Sequence, residues 1–240
     1  MNTEISRLQA MVQESRRIVF FGGAGVSTES GIPDFRSQDG LYQQAYDYPP
    51  ETILSSSFFQ KNPRIFYQFY KDKMIYTDAK PNQAHISLSK WEAHGKLSAI
   101  ITQNIDGLHQ AAGSKNVVEM HGSVHQNHCI RCKKAYDLSF ILHAEYVPLC
   151  SCGGIVKPDV VLYEEPLKQS VMEKTVHEIA DADMLLIGGT SLSVYPAAGF
   201  VQAFTGKYLV ILNKTPTPMD HKADLCIAAP IGETLQKINV

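Results

Sequence analysis

The sequence predicts an α/β fold built on a parallel sheet, with a small cysteine-bearing module inserted into it. Short apolar runs alternate with helical segments, and this order is typical of a parallel sheet with right-handed crossovers. Glycine-rich or polar turns follow most of the apolar runs, at the edge where open parallel sheets hold their ligands. Two close pairs of cysteines near the middle of the chain can converge on one tetrahedral ion.

The individual elements follow from the spacing of apolar residues and from turn-forming residues. The predicted strands are 18–21, 97–102, 117–120, 184–187, 208–212 and 225–228. The predicted helices are 1–17, 50–77, 81–94, 167–180, a segment that begins at Pro196, and a last helix at the carboxyl end. Residues 31–49 are rich in Gly, Pro, Asp and Ser and predict a long loop, a type of segment that is often functional.

Length and composition limit the possible classes of protein. The 240 residues are 44% hydrophobic and 19% charged, which is typical of one large globular domain with a small additional module. The net charge of −2 predicts binding neither to nucleic acid nor to an anionic membrane. No secretion signal and no run of about eighteen apolar residues is visible, so we expect a cytoplasmic protein.

The cysteines predict a structural zinc site. Four of them form a C-x-x-C pair and, seventeen residues later, a C-x-C pair: Cys129, Cys132, Cys150 and Cys152. In a reducing compartment such clusters favour a metal over disulfides. The C-x-C turn is unusually tight, and His125 or His128 remains an alternative ligand. Cys226 stands apart and is expected to be a small buried side chain.

A glycine-rich turn, Gly23-Ala24-Gly25, follows the first predicted strand. Glycine lets the backbone approach a pyrophosphate, whose charge the amino end of the next helix favours. A strand–helix turn without a ligand is an equally good interpretation of this short motif. The third glycine of the dehydrogenase pattern is replaced by Thr28, and no acidic residue ends the next strand. A hydride-transfer enzyme is therefore a poor fit.

Polar side chains also occur in the predicted loop 31–49 and after several other strands. In the loop, Arg36 is able to clamp a phosphate while Phe35 covers a flat ring, although the same residues are also consistent with a surface loop that has an ion pair between Arg36 and Asp34. Residues 102–106 offer Asn and Asp groups that bind ribose or a carboxamide, or that cap turns. His121 ends the strand at 117–120, where a general base is able to reach a sugar hydroxyl.

Taken together, these motifs resemble the sirtuins, which are NAD-dependent protein-lysine deacylases. The motifs that occur in the sirtuin order are Gly23 to Ser27, Gly31 to Arg36, Thr102 to Asp106, His121-Gly122, the paired cysteines, Pro158 to Val161, Gly189 to Leu192, and Asn213. They cover about residues 15–230, and the resemblance is to bacterial-type, zinc-containing sirtuins.

The resemblance implies a fold and an activity. It implies a Rossmann-like NAD-binding domain of residues 1–37, 81–120 and 164–240, with a small domain made of a helical insertion, 38–80, and a zinc-ribbon insertion, 121–163. It further implies an enzyme that transfers the acyl group of an acetylated protein lysine to ADP-ribose and releases nicotinamide. NAD is then a co-substrate, one zinc ion is structural, and acyl-lysine proteins are the partners.

The resemblance also assigns roles by position. His121 matches the general base that activates a ribose hydroxyl, and Asn104 matches a second catalytic residue. The positions that match cofactor contacts are Gly23, Ala24, Gly25, Thr28, Asp34, Phe35, Arg36, Gln103, Asn104, Ile105, Asp106, His121, Gly189, Thr190, Ser191, Asn213, Lys214 and Ile231.

Two departures from the sirtuin pattern bear on the substrate. Tyr163-Glu164-Glu165 replaces an aromatic-Gly-Glu run near the peptide-binding strand, and Glu164 in place of the glycine is expected to restrict how the substrate backbone lies. Tyr70 replaces the arginine of the Tyr-x-x-Arg pair that accompanies removal of acidic acyl groups, so we expect a neutral acyl group such as acetyl. A mono-ADP-ribosyltransferase and a non-catalytic module that binds NAD and acyl-lysine are the alternative functions.

Overall fold

The computed structural model describes residues 2–34 and 47–240, so Phe35, Arg36 and most of the predicted loop lie outside the described residues. Its α-helices are α1 (Asn2–Glu14), α2 (Pro50–Ile53), α3 (Ser56–Lys61), α4 (Pro63–Lys73), α5 (Gln83–Ala93), α6 (Leu108–Ala111), α7 (Leu138–His143), α8 (Gln169–Ala180) and α9 (Ile231–Leu235). Its strands are β1 (Ile18–Gly22), β2 (Leu97–Thr102), β3 (Val117–Glu119), β4 (Gly122–Cys129), β5 (Ala135–Tyr136), β6 (Val156–Val160), β7 (Met184–Gly188), β8 (Tyr208–Leu212) and β9 (Leu225–Ile227).

The main sheet has six strands in the order β3-β2-β1-β7-β8-β9, and every neighbouring pair is parallel. Every residue of β1 is buried, because helices cover both faces of the sheet. Successive side chains point to opposite faces, so Phe20 lies in the core cluster that contains Trp91 of α5, while Phe21 lies in the cluster that contains Ile179 of α8. The predicted α/β class with a parallel sheet is confirmed.

The second sheet is small and antiparallel, with the order β5-β4-β6. It shares one core with the aromatic side chains of α3 and α4, among them Phe58, Phe66 and Tyr67. The rings of Phe66 and Tyr67 meet edge to face, with centroids 5.2 Å apart and planes at 89°. The Tyr67 hydroxyl donates to the backbone oxygen of Val156 in β6, which ties the helices to this sheet.

Some predicted elements differ from those observed. The helix predicted over 50–77 is three helices, and α4 begins at Pro63 because proline starts a helix more readily than it continues one. The helix predicted from Pro196 is a 3₁₀ helix, Ala197–Ala203. The glycine-rich turn after β1 leads into two single 3₁₀ turns, Ala24–Val26 and Thr28–Ser30, and not into an α-helix.

The prediction that Cys226 is buried is wrong. β9 is an edge strand whose alternate residues Leu225 and Ile227 enter the core, so Cys226 points outward and is exposed. Within the part of the chain that the structure describes, no helix combines the length and apolar content needed to cross a membrane.

Candidate active site and metal site

A cavity of about 1070 Å³ lies at the carboxyl ends of the parallel strands, bordered on its other side by the end of β6. The turns that follow β1, β2, β7 and β8 all contribute to its wall, as expected for a crevice where strand order reverses. All the described residues predicted to contact the cofactor line this cavity: Gly23, Ala24, Gly25, Thr28, Asp34, Gln103, Asn104, Ile105, Asp106, His121, Gly189, Thr190, Ser191, Asn213, Lys214 and Ile231.

The two glycine-rich turns touch each other through their backbones. The N–H of Gly25 donates to the carbonyl of Gly189 at 2.8 Å. A Cβ atom on Gly25 would lie 2.7 Å from the Cα atom of Gly189, which itself has φ 62°. Only glycine fits both positions, so the backbone at the floor of the cavity is left open to a ligand. Gln103 extends this contact, because its Nε2 donates to the Thr190 hydroxyl at 3.0 Å.

A buried serine joins the polar residues that follow β2. The Ser27 hydroxyl donates to Oδ2 of Asp106 at 2.6 Å and accepts from Nδ2 of Asn104 at 3.0 Å. The other carboxylate oxygen of Asp106 accepts from the N–H of Leu108 at 2.9 Å. These bonds fix Asn104 and Asp106 relative to the turn after β1, and Ser27 is 1% exposed.

His121 is held in a defined tautomer. Its Nδ1 lies 2.9 Å from the backbone oxygen of Gln103, and a carbonyl oxygen only accepts, so Nδ1 carries the proton. The Nε2 atom then has a free lone pair, and it has no hydrogen-bond partner among the described residues. Burial lowers the pKa of His121, and the bond to Gln103 offsets part of this effect. The side chain is therefore a neutral base at pH 7.

The four paired cysteines form one compact cluster. The Sγ atoms of Cys129, Cys132, Cys150 and Cys152 all lie within 4.8 Å of one another. Two of the separations, Cys129 to Cys152 and Cys132 to Cys150, are 3.5 Å, close to the ~3.8 Å edge of a tetrahedron with zinc–sulfur bonds of ~2.3 Å. The donor set and its geometry thus fit a single tetrahedral zinc ion.

Neither histidine considered as an alternative ligand belongs to this cluster. His128 Nδ1 lies 2.7 Å from Oδ2 of Asp159, and His125 Nε2 lies 3.1 Å from the backbone oxygen of Asp106. The short C-x-C turn is accommodated by the two glycines that follow it. A Cβ atom at Gly154 would lie 2.7 Å from the sulfur of Cys129, so this position requires glycine.

Comparison with known proteins places the chain in a family. A model of the Sir2 family matches residues 23–196, which is more than half of the sequence. The chain belongs to the Sir2 family. The resemblance to sirtuins inferred from the sequence motifs is therefore confirmed.

Individual Sir2 relatives are similar over nearly their whole length. A protein of Clostridium acetobutylicum named NAD-dependent protein deacetylase is 55% identical over 239 residues, which cover 98% of each chain. A solved Sir2 complex with deacetylated p53 peptide and 3′-O-acetyl ADP ribose has a TM-score of 0.91 and 37% identity, covering 98% of this chain and 96% of that one. A solved Sir2 complex with p53 peptide and NAD⁺ has a TM-score of 0.85 and 37% identity, covering 97% and 96%.

In this Sir2 chain, sequence reasoning missed several residues of the cavity wall. Ser27 lies at the end of the Gly23 to Ser27 motif, and its role follows from its contacts in the structure. Its signal was a small polar residue directly after a glycine-rich turn. Glu29 also lines the cavity, and its Oε1 accepts from the N–H of Gly232 at 2.9 Å. The segment after β6 contributes Leu162, for which the sequence carries no local signal, next to Tyr163, which belongs to the run that corresponds to aromatic-Gly-Glu in sirtuins.

Proposed function

We propose that this chain is an NAD-dependent protein deacetylase that moves the acetyl group of a protein lysine to ADP-ribose and releases nicotinamide. The observation that carries the proposal is the meeting, in one cavity, of a neutral His121 with the two glycine-rich turns. The names of the relatives, and the peptide and nucleotide bound to the solved Sir2 chains, support the same activity.

When bound, NAD supplies an electrophilic ribose carbon and a nicotinamide leaving group. The open backbone of the glycine-rich turns fits the pyrophosphate, and Asn104 and Asp106 are held where they orient the ribose and nicotinamide. Nε2 of His121 takes the proton of a ribose hydroxyl as general base. The bond from Nδ1 to the Gln103 carbonyl then stabilises the positive charge on the ring.

We further infer that the four thiolates hold a structural zinc ion, because no coordination position would be left open for substrate.

The two sheets support a division into a Rossmann-like domain (1–37, 81–120 and 164–240) and a small domain of residues 38–80 and 121–163. Clustered cysteines that are not joined by disulfides suit the reducing cytoplasm, which is the proposed location. The proposed partners are acetylated proteins. Neither nucleic acid nor membrane is a proposed partner, because the net charge is only −2.

The function is tested by incubating the chain with NAD, with and without an acetyl-lysine peptide, and by measuring nicotinamide and deacetylated peptide. If the chain is a deacetylase, nicotinamide should appear only when the acetylated peptide is present, and its amount should equal that of the deacetylated peptide. Labelling of protein by the nucleotide without acetylated peptide would favour mono-ADP-ribosyl transfer. Peptide binding without nicotinamide release would favour a non-catalytic module.

The acyl preference is expected to favour acetyl over succinyl groups. Tyr70 lines the cavity, and its buried hydroxyl has no hydrogen-bond partner among the described residues, so this position presents a neutral phenol where a carboxylate would need a cation. Lys73, one turn later, is paired with Asp72 at 3.0 Å. Because burying an uncompensated carboxylate costs several kcal/mol, kcat/KM for a succinyl-lysine peptide should be at least about tenfold lower. Faster desuccinylation of the same peptide sequence would contradict this prediction.

A further inference from the structure

Glu164 has an unusual backbone conformation at the border of the cavity. Three non-glycine residues of the described chain have positive φ, namely Lys133, Glu164 and Leu192, and among these Glu164 lines the cavity, with φ 75°. A residue with a Cβ atom adopts this conformation at an energetic cost, so its surroundings must hold it there.

The carboxylate of Glu164 makes the contact that holds it. Its Oε2 accepts from the backbone N–H of Ser57 at 2.9 Å, and its Oε1 accepts from the Ser57 hydroxyl at 2.9 Å. Ser57 lies in the first turn of α3, where backbone N–H groups lack helical partners and a negative charge is favourable. Both carboxylate oxygens are therefore engaged by one residue of the helical insertion.

The neighbouring backbone continues this connection. Tyr163 donates its N–H to the carbonyl of Leu54 at 3.0 Å and accepts from the N–H of Ser56 at 3.0 Å. Glu164 thus completes a seam between the start of α3 and the segment that follows β6, residues 161–164. This segment forms part of the cavity wall.

The other end of segment 161–164 is attached to His121. The N–H of Val161 donates to the backbone oxygen of His121 at 2.9 Å. The predicted cofactor contacts come mainly from turns of the main sheet, whereas segment 161–164 continues the small sheet. A change in this segment should consequently affect the peptide more than NAD.

We propose that Glu164 is a positioning residue for the acyl-lysine substrate, because its carboxylate clamps segment 161–164 against α3 and so fixes the cavity wall along which the peptide lies. This inference rests on the proposed deacetylase function. It explains why a glutamate occupies a conformation that glycine adopts more easily: the side chain supplies a restraint that glycine lacks.

The test compares Glu164→Gly, Glu164→Gln and the unchanged chain in steady-state deacetylation of an acetyl-lysine peptide. Glycine accepts φ 75° without strain, so the first variant folds while losing both bonds to Ser57. We expect its KM for the peptide to rise about fivefold, with kcat and the KM for NAD changed by less than about twofold. Glutamine keeps an acceptor for the Ser57 N–H and should restore most of the peptide KM.

A double-mutant cycle with Ser57→Ala locates the effect. If the clamp acts through Ser57, Glu164→Gly should raise the peptide KM less in the Ser57→Ala background than in the unchanged chain. An unchanged peptide KM in Glu164→Gly, or an equal rise in the KM for NAD, would overturn the positioning role while leaving the deacetylase function in place. An unchanged chain that releases no nicotinamide with the acetylated peptide would instead overturn the proposed function, and this inference with it.

Discussion

Replacing His121 by alanine should reduce kcat for deacetylation by about 10²–10⁴-fold, the usual contribution of a positioned general base. The reason is the free Nε2 lone pair of a ring whose other nitrogen donates to the Gln103 carbonyl. Binding of NAD should persist, since the glycine-rich turns and the Ser27 network do not depend on the imidazole. Calorimetric titration with NAD, alongside single-turnover deacetylation, measures the two effects separately.

His177→Ala is a matched control for this experiment, because the His177 side chain is 70% exposed on α8 and touches no part of the cavity. It should leave both NAD affinity and turnover unchanged. If His121→Ala weakened NAD binding as strongly as it slowed turnover, His121 would be a binding residue and not the base.

The pH profile provides a second test of His121. Burial lowers its pKa in the folded chain below the ordinary value of about 6.5. The imidazole is therefore neutral, and active as a base, above that lowered pKa, and it becomes protonated and inactive only as pH falls through it. Because this pKa belongs to the free enzyme, the acid limb of kcat/KM should have its midpoint below pH ~6.5, and His121→Ala should lack this limb.

Removal of the metal should disorder the small sheet and, as a consequence, reduce deacetylation about as strongly as His121→Ala does. Binding of zinc by small thiolate modules is worth roughly 10 kcal/mol or more, and the small sheet has only three strands, of which β5 spans just two residues. Because β4 begins directly after His121 and Val161 bonds to the His121 carbonyl, disorder of the small sheet should reach the base. Metal content, circular dichroism and deacetylation should fall together during titration with a chelator.

Two variants sharpen the metal experiment. Cys132→Ser removes one sulfur of the cluster and should lower both metal content and thermal stability. Cys226→Ser changes an exposed thiol that lies outside the cluster, and it should leave both unchanged. A chain that loses its zinc to the chelator but keeps full activity would contradict the structural role of the metal.

The strands and the metal cluster were predictable because local sequence determines them. β1 is an unbroken apolar run that ends at glycine, and the cysteine spacing alone indicates two turns that face one ion. The order of the motifs was sufficient to identify the family. In contrast, Cys226 was misjudged because burial on an edge strand depends on which face the sheet covers, and the sequence of three residues does not show this.

Other features could not be predicted because they join distant parts of the chain. The Ser27 hydroxyl meets Asp106 across 79 residues of sequence, and Glu164 meets Ser57 across 107. Neither contact leaves a periodic or compositional signal near its residues. The positive φ of Glu164 was likewise invisible, although the replacement of glycine at that position indicated that the substrate wall differs here.

The single proton of the buried Ser27 hydroxyl fixes the orientation of a carboxamide in the cavity wall. The Ser27 hydroxyl donates this proton to Asp106, so its oxygen can only accept a further hydrogen bond. The carboxamide of Asn104 must therefore turn its nitrogen toward Ser27. The opposite end of that carboxamide is its oxygen. A ligand group that hydrogen-bonds to this oxygen must therefore be a donor.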